Sequence, residues 1–370
     1  QMTIVLDPAL GPLRLDNFNT TVDASGVWNG NWPQGVPGVT VIGSGPTVLE
    51  IRNDWNAIYG LEFWATIAIE ISGGSHNTIG GTGTGQRNVF ASLSGVRTKE
   101  SGSKAATRNS IVGNYFGTRD GANLINGTFT FAGWEGIYLE SGTTHTTIEH
   151  NLIVACTYHD WSAGIRVASS TDNTIRNNII GLDAAKSNHL VNSYGIRMLM
   201  SERNTIGPNN IITGSTRDGI YLDVNSSGNT IRDNWFGYLA GQVGNGDYGI
   251  HIVSGADNRI TGNQVYSNGK HGIYVENGSG TVILGNGITG NVQDGLYLAN
   301  AAGSQVGGAA SGEPNHVTDN TGSGVHIAGN QITVAGNYIG TGPSGFDGGN
   351  KGYGILVEGE GNTIGGTTEG

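Results

Sequence analysis

Apolar residues alternate with polar ones in short runs of three to five along most of the chain, and the runs return in fixed phrases. The phrase Gly-Ile-x-Leu, with Val, Leu or Met exchanging at the apolar positions, occurs at Gly136–Leu139, Gly164–Val167, Gly195–Met198, Gly219–Leu222 and Gly249–Ile252. It continues at Gly272–Val275, Gly295–Leu298, Gly324–Ile327 and Gly354–Val357. Successive glycines are 28, 31, 24, 30, 23, 23, 29 and 30 residues apart. Alternation of this kind is the signature of a strand with one buried face. Recurrence at such a period predicts a repeat architecture in which each unit buries its apolar face on the next.

A second phrase, Asn-Thr-Ile, lies between the first ones at Asn77–Ile79, Asn173–Ile175, Asn204–Ile206, Asn229–Ile231 and Asn362–Ile364. A third short run, opened by asparagine, follows at Asn114, Asn178, Asn234 and Asn337. Three short strands separated by Gly and Asn predict one triangular coil of a parallel β-helix. The asparagines at 114, 151, 178, 210, 234, 263, 286, 315 and 337 are expected at the bends themselves, because Asn tolerates positive φ. Stacked coils would align their amides as a ladder. The phrases Gly-Asn-Tyr-Ile-Gly-Thr (336–341) and Asn-Thr-Ile-Gly-Gly-Thr (77–82 and 362–367) resemble the right-handed parallel β-helix repeats of large secreted bacterial proteins, the pectate-lyase-like superfamily fold. The resemblance implies an all-β solenoid of roughly 12 coils over residues 40–370. It leaves function open, since such repeats serve polysaccharide-cleaving enzymes, phage tailspikes, adhesins and passive stalks alike.

Residues 1–39 lack the phrases and are expected to form an N-terminal cap over the open end of the core, with Trp28 and Trp32 as its plug. The segments Lys99–Arg108 and Asp120–Gly133 lengthen the step before Gly136 and read as outward loops bordering a groove. The chain ends inside an Asn-Thr-Ile-Gly-Gly-Thr phrase, which suggests that the repeats continue beyond Gly370 and that end-to-end or lateral self-association is open to it. A start at Gln1 reads as a processed or trimmed product.

Composition narrows the partners. With 65 glycines but 36% hydrophobic residues in periodic order, the chain reads as an ordered solenoid. A net charge of −11 argues against a nucleic-acid partner, which calls for a basic stripe. There is no run of 18 apolar residues, hence no helical membrane span. The one cysteine, Cys156, sits in an apolar run and reads as a buried structural thiol. Low Lys and Cys with abundant Gly, Asn and Thr suit an extracellular or cell-surface protein.

Candidate chemistry resides at the x position, which must point outward because neighbouring side chains on a strand alternate. Stacked coils would place these residues in one column: Glu50, Glu70, Arg97, Tyr138, Arg166, Arg197, Tyr221, His251, Tyr274, Tyr297, His326 and Leu356. A second outward column holds Glu140, Asp223, Glu276 and Glu358 among smaller residues. Flat tyrosine faces bordered by Arg, His and carboxylates suit an extended polysaccharide, with acidic ones among the candidates. The binding set is therefore Trp134, Tyr138, Glu140, Trp161, Tyr221, His251, Tyr274 and Tyr297, with Arg166 and Arg197 expected to be exposed cations. The bland alternative is that Tyr and Arg simply stack well on a flat sheet.

Three catalytic readings follow. A glycosidase needs two carboxyls about 5–9.5 Å apart. At a strand spacing of about 4.8 Å, Glu140 and Asp223 stand about 14 Å apart, and Asp223 and Glu276 about 10 Å. Asp160, beside Trp161, with Glu135, beside Trp134, is the better pair. Glu135, Asp218 and Asp294 precede the phrase glycine, where Asp-Gly reads first as turn chemistry. A lyase would draw on Arg166 and Arg197, adjacent in the column and flanked by Tyr138 and Tyr221, and Asp223 completes the candidate catalytic set. Calcium requires about six to eight oxygens and finds no such cluster, and the scattered histidines offer no zinc spacing, so no cofactor is expected.

Overall fold

The computed structural model describes residues 2–27, 37–125, 133–237, 244–341 and 348–366. These form a parallel β-helix whose coils carry three short strands each, joined by bends, with one short 3₁₀ turn at Pro8–Leu10 and no α-helix among the described residues. The chain divides into two compact units, Gln1–Ile196 and Arg197–Gly370.

In the first unit the ladder starts earlier than the phrases suggest. Met2–Leu6 pairs in parallel with Val39–Gly43, Leu13–Leu15 with Thr47–Ile51, and Thr21–Asp23 with Ala57–Tyr59. The segment expected to be a separate cap over residues 1–39 thus already contributes a full set of coil strands. Thr3–Leu6 and Leu13–Leu15 read as strands from the sequence, but with neither the Gly-Ile-x-Leu nor the Asn-Thr-Ile phrase nothing there places them on the ladder. Trp28 and Trp32 lie outside the described residues. Two later strands, Leu61–Ser72 and Val89–Lys99, run straight through a corner that elsewhere bends, so each pairs with two successive partners. Inside that corner Phe63, Phe90 and Phe116 stack at 5.4 and 4.6 Å between centroids.

The apolar positions of the repeated phrase point inward as expected. Ile137, Leu139, Ile165 and Val167 in the first unit are wholly buried, as are Ile220, Leu222, Ile250, Ile252, Ile273 and Val275 in the second. Each such side chain contributes about 1.5–3 kcal/mol of transfer free energy. The glycine before them recurs for lack of space. A Cβ on Gly136 would meet the Gly164 carbonyl oxygen at 2.8 Å, and one on Gly219 the Gly249 oxygen at 2.6 Å.

The asparagine ladders form, but their backbone role is different from the one expected. In the first unit Asn88, Asn114 and Asn151 each donate from the side-chain amide to the next asparagine's side-chain oxygen at 3.1 Å, ending on Asn178. In the second, Asn210, Asn234, Asn263, Asn286 and Asn315 do so at 2.8–3.1 Å, ending on Asn337. At most ladder positions the positive φ falls on the residue before the asparagine, as at His150 (57°), Asn177 (55°) and Asp233 (54°). That residue turns the chain, and the asparagine after it points inward to satisfy the backbone groups the bend exposes.

Candidate functional site

The predicted outward column exists within each unit, in the predicted register. In the first unit Glu50, Glu70, Arg97, Tyr138 and Arg166 are direct strand partners. Its charges are compensated in pairs. Arg97 donates to Glu140 at 2.7 Å, Lys99 lies 2.7 Å from Glu70, and Arg166 donates to Glu135 at 3.2 Å. Tyr138 is held between two guanidinium groups, Arg97 at 5.7 Å and Arg166 at 4.9 Å from its ring centre. Burial raises the Glu135 carboxyl above its ordinary value in spite of Arg166 beside it, and burial also raises the Tyr138 phenol. Arg166 is accordingly half-buried and engaged, not the free cation expected from its position in the phrase.

Beside this column a turn gathers Trp134, Tyr158, His159 and Trp161. His159 stacks on Trp161 at 4.6 Å, Trp134 meets Tyr158 edge-on at 6.0 Å, and Arg166 lies 5.5 Å over Trp161. Asp160 is exposed on this turn while Glu135 is buried in the wall, so the two carboxyls occupy unlike environments. Cys156 is buried, and burial raises its thiol far above the ordinary range, as suits a structural residue.

In the second unit the column is aromatic. Tyr221, His251, Tyr274, Tyr297 and His326 follow one another in strict register, with centroids 5.1, 4.8, 5.1 and 4.5 Å apart. His251 and Tyr274 are near-parallel at 17°, and Tyr274 and Tyr297 at 8°. Stacking of this kind covers ring faces with neighbouring rings. What remains for a ligand is a row of hydroxyl and imidazole edges, in place of the flat tyrosine faces expected from the sequence. A flanking pair, Tyr248 and His271, stacks at 5.7 Å and 1° just before the phrase glycines. Arg197 donates to Asp223 at 2.8 Å, so this arginine too is paired, and Lys270 lies 2.9 Å from Asp247. Arg166 and Arg197, read as neighbours from the sequence, belong to different units, as do Glu140 and Asp223.

Two aspartates dismissed as turn residues have a second task. Asp218 accepts the Tyr248 amide on one oxygen (3.1 Å) and lies 3.4 Å from His251 Nδ1 with the other. Asp294 accepts the Ser323 amide at 2.5 Å and faces His326 Nδ1 at 3.2 Å. His326 Nε2 stands 3.0 Å from Glu358, and His251 Nε2 3.5 Å from Glu276. His271 is different. Its Nδ1 accepts the Asp294 amide at 3.1 Å, which places the neutral ring's proton on Nε2, and burial lowers its pKa to about 4. Burial, with Glu276 adding to it, raises the Tyr274 phenol to about 12. Asp218 and Asp294 went unread because Asp-Gly satisfies turn chemistry by itself. The available signal was a histidine at the x position of the next phrase.

The comparisons with known proteins agree on fold. A family model described as right handed beta helix region matches residues 115–243, and one described as periplasmic copper-binding protein (NosD) matches residues 192–366. No characterised protein matches the chain in sequence. Among solved structures, the chain is similar to the Dettilon tailspike protein with 15% identity and a TM-score of 0.54, over 86% of this chain and 62% of that one. It is also similar to the A-module of the Azotobacter vinelandii mannuronan C-5 epimerase AlgE6 with 13% identity and a TM-score of 0.55, over 99% of this chain and 91% of that module. The chain therefore spans less than two thirds of the tailspike's length. Among the described residues no group of three or more His, Cys, Asp or Glu side chains is arranged to hold a metal ion. At these identities the likeness establishes the fold, a right-handed parallel β-helix.

Proposed function

We propose that this protein binds a polysaccharide along the outward column of its repeated strands, outside the cytoplasm or at a cell surface. The observation that carries the reading is the row Tyr221, His251, Tyr274, Tyr297 and His326, whose edges recur at 4.5–5.1 Å. A linear glycan repeats its hydroxyl groups along its length in the same manner, so successive sugars can address successive coils. The similar A-module is named for an epimerase of mannuronan, a polysaccharide, which supports a glycan partner on this fold. Trp134 and Trp161, with the exposed Tyr158, supply an aromatic platform in the first unit. A lytic or hydrolytic reading around Tyr138–Asp223 is weaker, because Arg166, Arg197, Glu135, Glu140 and Asp223 are held in ion pairs.

The test is retention of the purified chain on immobilised neutral and uronate polysaccharides, together with assays for new reducing ends and unsaturated products. Binding without cleavage is expected, and Tyr274→Phe, which keeps the ring in the stack and removes its hydroxyl, should weaken it severalfold with the unfolding temperature nearly unchanged. Absence of retention on every polysaccharide would overturn the reading. Cleavage would replace it with an enzymatic one.

A further inference from the structure

The second unit contains a three-coil pattern that occurs twice. Its first copy reads Asp218-Gly-Ile-Tyr-Leu222, then Gly249-Ile-His-Ile252, then Gly272-Ile-Tyr-Val-Glu276. Its second reads Asp294-Gly-Leu-Tyr-Leu298, then Gly324-Val-His-Ile327, then Gly354-Ile-Leu-Val-Glu358. The lead glycines, Gly219 and Gly295, are 76 residues apart (295 − 219), and the copies follow each other without an intervening coil.

The geometry repeats with the sequence. In each copy an aspartate with little exposure faces Nδ1 of the histidine one coil on, at 3.4 Å for Asp218 and His251 and 3.2 Å for Asp294 and His326. In each, a more exposed glutamate one coil further faces Nε2, at 3.5 Å for Glu276 and 3.0 Å for Glu358. In each, a tyrosine packs against the histidine from the aspartate's coil, Tyr221 at 5.1 Å and Tyr297 at 4.5 Å. The aspartate fixes the ring, and the glutamate is the arm that can move.

The first copy also carries an unmet demand. His251 is only 9% exposed, and its Nε2 has no hydrogen bond; the nearest acid, Glu276, stands off at 3.5 Å. A buried ring nitrogen without a partner is costly unless something fills the place. Nε2 is closed to solvent while Glu276 stands beside it, so a hydroxyl group takes the place once Glu276, with 39% of its side chain exposed, swings aside, and it can then bond both Nε2 and the carboxylate. In the second copy Glu358 closes on the ring, and with 56% of its side chain exposed it is free to yield to the same group.

Charge selects the ligand class. Each copy brings two carboxylates and one imidazole, so its formal charge is −2 with the ring neutral and −1 with it protonated. An anionic sugar would be repelled at both. We infer that the two triplets, Asp218–His251–Glu276 and Asp294–His326–Glu358, are equivalent subsites for hydroxyl groups of an uncharged glycan long enough to span three coils, about 14 Å. This rests on the polysaccharide reading above and names the chemical class that it takes.

The experiment is direct binding of the full chain to a neutral glucan or mannan, to polygalacturonate and to polymannuronate, with a size series of the neutral oligosaccharide. The expected result is preference for the neutral polymer, and a rise in affinity once the oligosaccharide spans both subsites. Glu276→Gln and Glu358→Gln should each weaken binding about tenfold, and together about a hundredfold, by removing one charged acceptor per subsite. Unchanged unfolding temperatures in these isosteric variants separate the effect from misfolding. Tighter binding of either uronate polymer would overturn the subsites while leaving polysaccharide binding intact. An effect from only one glutamate would overturn their equivalence. No binding to any polymer would overturn both proposals.

Discussion

The two units set different chemistry on the same scaffold. Both carry the same inward Ile and Leu, the same glycine fit against the neighbouring backbone and the same asparagine ladders. On the outside, the first unit alternates Arg97, Tyr138 and Arg166 and compensates each guanidinium with a carboxylate. The second unit stacks Tyr and His rings and sets Asp218, Glu276, Asp294 and Glu358 against imidazoles. The strand register fixes where an outward side chain stands, and the residue chosen there decides whether the column is closed by ion pairs or left with polar edges to offer. The interior is common to both, so substitutions on the outer face can separate stability from recognition.

The largest expected effect concerns the first unit's ion pairs. Arg166→Ala leaves Glu135, whose side chain is only 5% exposed, without its cation and should cost about 2–3 kcal/mol. Arg197→Ala leaves the more accessible Asp223 and should cost about 1 kcal/mol. Equal losses in chemical denaturation would erase this contrast between the units, and Glu135→Gln combined with Arg166→Ala should recover part of the larger loss.

Next comes pH, where two buried groups, one in each unit, should respond with opposite signs. His271 has its pKa lowered to about 4, so the unfolded chain binds the proton more readily, and stability present above about pH 6.5 is lost as pH falls toward 4. Glu135 has a raised pKa, so its contribution is full in acid and declines as pH rises through the native value. Unfolding curves against pH should therefore show a smaller decline between about pH 6.5 and 4 in His271→Gln, and a smaller decline above the ordinary carboxylate range in Glu135→Gln. An unaltered profile in either variant would contradict the corresponding assignment.

The smallest effect belongs to the aromatic row. Tyr297→Phe removes one hydroxyl edge and keeps the stack, so stability should stay within about 0.5 kcal/mol. Glycan affinity should nonetheless drop severalfold by titration calorimetry, whereas Tyr138→Phe, in the closed column, should leave it unchanged.

Much of this was legible in the sequence. Gly-Ile-x-Leu gave the period, the buried positions and the members of the outward column, because burial and alternation act within a single strand. The amide ladders followed from the spacing of the asparagines. The first coil reads as a cap from the sequence because Met2–Leu6 and its companions follow the pairing without the phrase. The bend was misassigned by one residue, since Asn tolerance of positive φ does not reveal that the buried amide has the stronger claim on that side chain. Pairings such as Arg166 with Glu135, or Asp218 with His251, depend on which way a long side chain leans toward the neighbouring coil. A linear reading supplies the column but not the lean.

The most direct test of glycan recognition on the second unit's face is to follow the histidine ring signals of the whole protein by NMR during titration with a neutral polysaccharide fragment. His251, His271 and His326 should shift together and saturate, while the exposed bend histidines His145 and His150 in the first unit stay fixed. Shifts confined to His145 and His150, or no shift at concentrations where the glycan binds, would contradict the assignment of recognition to the aromatic column.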